Sequence, residues 1–305
     1  MVLGSRPHIP MWGFVNHTYS SRRSQTAIGG EMTQADQEPH DEASGSDAKA
    51  SPARMYDYLL GGDNNEGADR KAVDELLEGL PEIKDGAEAN RGFLRRSVRH
   101  LAELGITQFI DLGSGLPTEN NTDQVAHRVN PQVRVVLVDT DPLVLNHVAR
   151  LERDTVRAVQ ADIRHPREVL SAPGMQIIDF TQPVGLLAVA VTHFIADPYD
   201  AYEIMRAYVD ALAPGSYLSL SHLNGDGQPP QSVARLKAAW ADTPTGIHFR
   251  SREQIARFFD GLELLPPYPG AASALVPVGQ WGAEDPEAAD TLGSRWAYCA
   301  VGRKS

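Results

Sequence analysis

Two carboxylates and two glycines stand out by type and spacing. Asp111 lies two residues before Gly113 in the run Phe109-Ile110-Asp111-Leu112-Gly113-Ser114-Gly115-Leu116-Pro117, and Asp139 follows the apolar run 133–138. Glycine serves where backbone must turn with positive φ or lie against a ligand with no Cβ in the way. A helix opening just after such a loop turns its free N–H groups and positive dipole end toward a carboxylate or phosphate. The acidic residue ahead of the first glycine suits a positively charged group on the ligand, such as an amine or a sulfonium. A carboxylate ending the next strand can accept two hydrogen bonds from ribose hydroxyls and would repel a 2′-phosphate. A nicotinamide fingerprint needs a third glycine where Thr118 stands.

Other polar residues fall at comparable places. Asp162, with Ile163 after it, follows a third predicted strand, and His193 ends the central one; His222 is a weaker candidate of the same kind. A histidine there could serve as a base or simply be packed. Asp139 and Asp141 form a D-x-D pair, but Asp141 precedes Pro142 and reads as a helix cap, so no metal is expected.

The elements that must hold these residues alternate regularly. Predicted strands at 109–112, 133–138, 155–160, 184–191 and 216–220 are separated by predicted helices at 118–129, after Pro142, near Arg167 and at 198–212. Such alternation gives a mostly parallel α/β sheet with helices on both faces. Ligands of these sheets sit outside the carboxyl ends of the strands, where Asp111, Asp139, Asp162 and His193 fall. The C-terminal end differs: a helix at 253–259 precedes strands at 262–265 and 296–301 with no crossover helix between them, which predicts an antiparallel pair at the sheet edge.

Ahead of the sheet, three helices are predicted at 51–60, 66–80 and 87–104, the third placing Leu94, Val98 and Leu101 on a buried face. Its arginines Arg91, Arg95, Arg96 and Arg99 read as a solvated face. Residues 1–50 are polar and aperiodic and offer no core, so a disordered tail is expected; Met32 is an alternative start of translation. The chain thus divides into a tail (1–50), a helical extension (51–104) and an α/β domain (105–305).

Composition narrows the classes. The 305 residues carry 28 Lys+Arg against 40 Asp+Glu, a net charge of −12, which disfavours nucleic acid or an anionic membrane surface as a partner. The single cysteine, Cys299, excludes an intramolecular disulfide framework. No apolar run approaches the roughly 18 residues of a membrane span. A cytoplasmic protein is expected.

Several segments together resemble one family. They are Pro52-Ala53-Arg54-Met55-Tyr56-Asp57-Tyr58-Leu59-Leu60-Gly61-Gly62, Ala68-Asp69-Arg70, Asn90-Arg91-Gly92-Phe93-Leu94-Arg95-Arg96 and Asp111-Leu112-Gly113-Ser114-Gly115-Leu116-Pro117-Thr118. From about Ser51 onward the chain resembles the S-adenosyl methyltransferase family once catalogued as a domain of unknown function. The resemblance implies a Rossmann-like class I methyltransferase fold, a seven-stranded, mostly parallel sheet with an antiparallel terminal strand and an N-terminal helical extension. It departs from the family pattern at Glu66, where relatives usually carry an aromatic, and at Asp123-Gln124, where a His-Glu pair is common.

The implied cofactor is S-adenosylmethionine, with Asp111, Gly113, Ser114, Gly115, Asp139, Asp162 and Ile163 as its binding residues. Arg91 is placed for the methionine carboxylate, and His193 is the candidate base. The reaction expected is in-line transfer of the methyl group. Thr192-His193-Phe194 replaces the Asn-Pro-Pro-Tyr signature of many amino methyltransferases, which leaves a small-molecule acceptor as the favoured partner. A non-catalytic, regulatory S-adenosylmethionine-binding protein and a nicotinamide oxidoreductase are the alternatives. The extension is expected to cover the strand ends as a lid and to wall the acceptor pocket.

Overall fold

The run Gln108–Leu112 is buried at every position, the mark of a strand covered on both faces. In the computed structural model, which describes residues 49–116, 120–150 and 153–305, it is the first strand of an eight-stranded sheet. The expected tail to residue 48 and the helix start at Thr118 lie outside the described residues. In chain order the elements are α1 (Pro52–Leu59), α2 (Gly67–Leu77), α3 (Glu82–Glu103), β1 (Gln108–Leu112), α4 (Thr122–Val129), β2 (Arg134–Asp139), α5 (Pro142–Ala149), β3 (Val156–Gln160) and α6 (Pro166–Ser171). They continue with β4 (Gly185–Val189), α7 (Ala201–Asp210), β5 (Tyr217–Leu223), α8 (Pro230–Ala239), α9 (Arg252–Ala256), β6 (Leu262–Leu264), β7 (Val276–Pro277) and β8 (Ala297–Lys304).

The sheet order is β3-β2-β1-β4-β5-β8-β6, with the two-residue β7 paired to β8. The first five strands are parallel, and β8 runs antiparallel to β5, β6 and β7. This is the class I methyltransferase architecture that the resemblance implies. The antiparallel pair is present, but β8 inserts between β5 and β6, so β6 and the short β7 form that edge. Strand order reverses between β1 and β4, the switch point where such sheets open a crevice.

Alternate residues along each strand feed two layers. Ile110, Val136, Leu186 and Leu220 pack against α7 through Met205 and Tyr208. Phe109, Val135, Leu187 and Val301 pack against Phe93, Val98 and Leu101 of α3. A third cluster joins Met55, Leu59, Val73 and Leu76 of α1 and α2 to Leu236 of α8 and to Trp240 just after it, with Ile247 and Trp296.

Three boundaries differ from the sequence reading for local reasons. The helix α3 begins at Glu82 rather than 87, with Glu82 and Asp85 supplying negative charge to its first turn. The helix α4 begins at Thr122, where Gln124 reaches back to accept from the N–H groups of Asn120 and Asn121. Asp200, at φ 47°, caps α7 by accepting from Tyr202 and Glu203, so that helix starts after the turn at Pro198. The arginine run is a solvated face only in part: Arg95 and Arg99 are exposed, whereas Arg91 is buried and Arg96 donates to the carbonyls of Trp281, Val278 and Gly279.

Candidate functional site

β1 ends at Leu112, and the chain turns at Gly113 (φ 66°) and Gly115 (φ 68°), conformations that disfavour any residue with a Cβ. The Gly113 and Ser114 N–H groups both donate to the Val138 carbonyl, at 2.8 and 3.0 Å, which ties the loop to β2. The two glycines do different work. A Cβ on Gly113 would collide with the Val191 side chain, whereas a Cβ on Gly115 would meet nothing within 4 Å. Gly113 is there for packing; Gly115 borders open space.

Asp139 faces that space from the end of β2. Its Oδ2 accepts from the Gly115 N–H at 2.9 Å and its Oδ1 from the Asp141 N–H at 3.0 Å. Burial raises its pKa, and these backbone bonds oppose the rise. Asp141 in turn accepts from the Leu143 N–H, the helix-cap geometry expected at the start of α5.

Asp111 sits behind the loop, on a small secondary cavity shared with Arg91, Ser114 and Thr122. The Thr122 hydroxyl donates to its Oδ2 at 2.5 Å. Burial pushes its pKa up to about 6, against the opposing pull of that hydroxyl and the Arg91 guanidinium. Arg91 donates to Asn121 Oδ1 and reaches the glycine loop from α3.

Asp162, after β3, is gripped by Arg164, whose Nε donates to Oδ1 at 3.0 Å and whose Nη2 donates to Oδ2 at 2.5 Å. Burial would raise its pKa, but these bonds outweigh it and hold the group low. Ile163 is buried beside it, and its carbonyl accepts from the Tyr208 hydroxyl at 2.9 Å.

His193 lies past β4, its ring 5.7 Å from that of His222 on β5. The buried Arg250 donates to His222 Nε2 at 2.6 Å, so His222 carries its proton on Nδ1 and gives it to the Leu223 carbonyl at 2.7 Å. That ring is neutral and has no lone pair to offer. Arg250 also donates to the carbonyls of Thr192 and Ile195, fixing the segment that carries His193. Burial, then the charge of Arg250, lowers the His193 pKa to about 3.

A single cavity of about 750 Å³ connects these parts. Its wall includes Asp162 beyond β3, Asp139 at the end of β2, Gly113 and Gly115 after β1, His193 after β4, Leu223 on β5 and Ala297 on β8. At about 4.8 Å per strand, this crosses roughly 24 Å of sheet edge. Residues of α1 and α3, among them Tyr56, Ile83 and Arg91, line the same cavity, so the N-terminal helices do wall it.

Residues 39–305 match the family model described as S-adenosyl methyltransferase. The chain belongs to the S-adenosyl methyltransferase family. A methyltransferase candidate from Thermobifida fusca is 39% identical over 84% of this chain and 96% of that one, with a TM-score of 0.76. A DUF574 family protein from Streptomyces avermitilis is 37% identical over 84% and 98% of the two chains, with a TM-score of 0.77. No curated protein matches the chain.

The cofactor of this methyltransferase is S-adenosylmethionine, and the residues present fit it. The space beside Gly115 admits a ligand against bare backbone. Asp139 is held in place by two N–H groups that occupy only two of its roughly four lone-pair sites. Of the residues singled out in the sequence, Asp139, Gly113, Ser114, Gly115, Asp162, Ile163, Arg91 and His193 line one cavity, and Asp111 lines the smaller cavity behind the loop.

Several cavity residues gave no advance sign. Ala190 adopts φ 56° at the end of β4, a strained setting for a non-glycine residue. Its N–H donates to Ser221 Oγ at 2.9 Å, Ser221 donates to Asn90 at 2.6 Å, and Asn90 donates to the Tyr56 hydroxyl at 2.9 Å. This network joins β4, β5, α3 and α1 across the cavity floor. Arg250 and Trp240 were also missed, because neither stands in a motif. Among the described residues no helix is long and apolar enough to cross a membrane.

Proposed function

We propose that this enzyme transfers the methyl group of S-adenosylmethionine to a small-molecule acceptor bound in the same cavity. The observation that carries the reading is the continuity of that cavity from the glycine loop and Asp139 to His193, Trp240 and Trp296 beneath α1. Its volume of about 750 Å³ lies within the range of roughly 300–1,000 Å³ for small-molecule sites.

When bound, S-adenosylmethionine supplies a methyl carbon made electrophilic by its sulfonium, and leaves as S-adenosylhomocysteine with the electron pair of the broken carbon–sulfur bond on sulfur. The chain supplies position and a dry site. Asp139 accepts from the ribose hydroxyls, and the loop 113–115 lies against the nucleoside. Asp162 and Ile163 border the adenine. Arg91 gives positive charge near the methionine carboxylate, while Asp111 anchors the loop and Arg91 from behind. His193, neutral and buried, accepts a hydrogen bond from the acceptor; with a pKa of about 3 it is too weak a base to take the proton, which leaves to water.

Calorimetry tests the cofactor half. S-adenosylhomocysteine should bind far tighter than NAD, and Asp139→Ala should weaken it by roughly 1.5–3 kcal/mol, the scale of hydrogen bonds to a charged group. Incubation with methyl-labelled S-adenosylmethionine and a cell extract tests the other half. Label should stay in the acid-soluble fraction; label in precipitated protein or nucleic acid would overturn the small-molecule reading.

A further inference from the structure

The charges on the cavity wall are unevenly placed. Eight wall residues carry a charged side chain, and six are committed away from the cavity or to each other. Arg54 donates to Asp69 at 2.8 Å. Glu66 caps α2, Asp141 caps α5, and Asp162 is paired with Arg164. Asp57 turns its carboxylate into the turn after α1: Oδ2 accepts from the Asn64 N–H and the Asn65 amide at 2.9 and 3.0 Å, and a Cβ on Gly62 would collide with Oδ1. The other two, Asp139 and Arg91, lie beside the glycine loop, Asp139 bonded to the Gly115 and Asp141 N–H groups and Arg91 to Asn121.

The wall over β4, β5 and β8 is of another kind. Among the described residues it carries no charge at neutral pH, since His193 and His222 are both neutral. Its surface comes from Leu236, Trp240, Ile247 and Trp296, with Phe194 and Leu223 packed against that cluster. Three polar atoms of residues on this wall have no partner: His193 Nδ1, Trp240 Nε1 and Thr245 Oγ1. Buried polar groups are nearly always partnered, and an unpaired charge brought into such a place forfeits its hydration with nothing in return.

Resting on the methyltransfer reading above, we infer that the acceptor is an uncharged, ring-bearing, largely apolar molecule. It lies over β4, β5 and β8 against Leu236, Trp240, Ile247 and Trp296, and its few polar atoms are met by uncharged groups such as His193, Trp240 and Thr245. Acceptors recognised through a phosphate, a carboxylate or an ammonium group are excluded by the same wall. With no carboxylate among the residues named on this wall, the acceptor atom is one that carries a free lone pair in the neutral molecule, such as a nitrogen. Its lone pair forms the bond to the methyl carbon, and any proton it bears is lost to water after transfer.

Indole, indole-3-acetate and tryptamine share one ring and differ in charge, which makes them suitable probes. Each is titrated by ligand-observed NMR into protein saturated with S-adenosylhomocysteine, whose own binding is measured by calorimetry on the same sample. Indole should bind at least tenfold tighter than either charged analogue. Trp240→Ala and Ile247→Glu should each weaken indole tenfold or more while S-adenosylhomocysteine affinity stays within about twofold; Trp240→Phe, the milder change, should cost indole a few-fold and serves if the others do not fold. Equal binding of the three probes, preference for a charged one, or no indole binding to protein that holds S-adenosylhomocysteine would overturn the inference and leave the cofactor assignment standing. Failure of S-adenosylhomocysteine to bind, with the indole preference intact, would overturn the cofactor assignment and leave the pocket's preference standing.

Discussion

The two halves of the cavity are built on opposite principles. Over β1, β2 and β3 the wall is mostly backbone: Gly113 and Ser114 donate their N–H groups to the Val138 carbonyl and Gly115 donates to the Asp139 carboxylate, each bond within a few residues of a strand end. Over β4, β5 and β8 it is assembled from side chains that arrive on α1, α3, α8 and the segment around Ile247. The first half fixes a ligand that never changes, and a geometry set by main-chain atoms leaves little to vary. The second half meets its ligand through side chains, which can be exchanged while the sheet stays as it is.

The largest effects should come from breaking the backbone half. Gly113→Ala places a methyl group against Val191 at a positive φ. Backbone strain of about 1–2 kcal/mol and overpacking of about 1–3 kcal/mol should together lower unfolding stability by roughly 2–5 kcal/mol. Gly115→Ala carries the same kind of strain and no collision, so its stability loss should be only about 1 kcal/mol. Its methyl group enters the ligand space, and S-adenosylhomocysteine affinity should fall at least tenfold. Denaturant titration and calorimetry on the pair separate the two roles. If Gly115→Ala binds normally, the open space beside it is not where the cofactor lies.

This contrast also decides what could be read in advance. The glycine pair, Asp139 and the strand alternation are local signals, because β1, its loop and β2 are close in sequence and their chemistry needs particular residue types. Asp111 was legible only in part. Its position two residues before Gly113 was legible, but the side of the loop it occupies depends on Thr122 and Arg91, which come from α4 and α3. The acceptor half left almost no local trace. Trp240 and Ile247 follow β5 in a stretch without strong periodicity, and α8 buries only Leu236 among its own residues. Arg250 looked like any surface arginine until folding carried it beneath His222 and Thr192. The N-terminal helices were foreseen as one extension, yet they divide. Phe93, Leu94, Val98 and Leu101 make α3 a layer of the sheet, while α1 and α2 pack in the cluster that borders the acceptor.

The buried carboxyl behind the loop should give the backbone half a pH signature opposite in sign to that of the acceptor half, where burial lowers the His193 and His222 pKa values and stability is lost as pH falls below the ordinary 6.5. Folded protein holds the Asp111 proton up to about pH 6, whereas an unfolded chain releases it near the ordinary 3.8. Between those values the folded state binds more protons, so stability falls as pH rises and the loss is complete above pH 6. A shift of that size corresponds to roughly 3 kcal/mol. Asp139, also raised by burial, adds in the same direction. The two histidines pull the other way, so the Asp111 share is read as a difference: the unfolding free energy of the wild type less that of Asp111→Asn should decline as pH rises from 4 to 7. A difference that does not change with pH would assign the buried charge to Asp139 instead.

The smallest expected effect concerns α1, where the two principles meet. Eight residues are too few to hold a helix in water, so its order comes from packing and from its anchors. One anchor is Asp69, which accepts from the Ser51 N–H, Arg54 Nε and the Glu66 N–H, each at 2.8 Å. The other is the Tyr56 hydroxyl, which donates to the Ala87 carbonyl at 3.1 Å. Gly61, at φ 78°, ends the helix and gives it a place to swing. Because α1 walls the cavity but contributes no backbone to the glycine loop, a bound ligand stabilises it only through side-chain contact. Hydrogen exchange across residues 54–60 should slow by about three- to tenfold with S-adenosylhomocysteine, close to 1 kcal/mol, far short of the roughly 100-fold expected if binding required the helix to be closed throughout. Protection confined to the loop at Gly113 and Gly115 would make α1 a fixed wall. A 100-fold effect would make it a gate through which both ligands must pass, and would move it from the adaptable half of the cavity into the half that every turnover depends on.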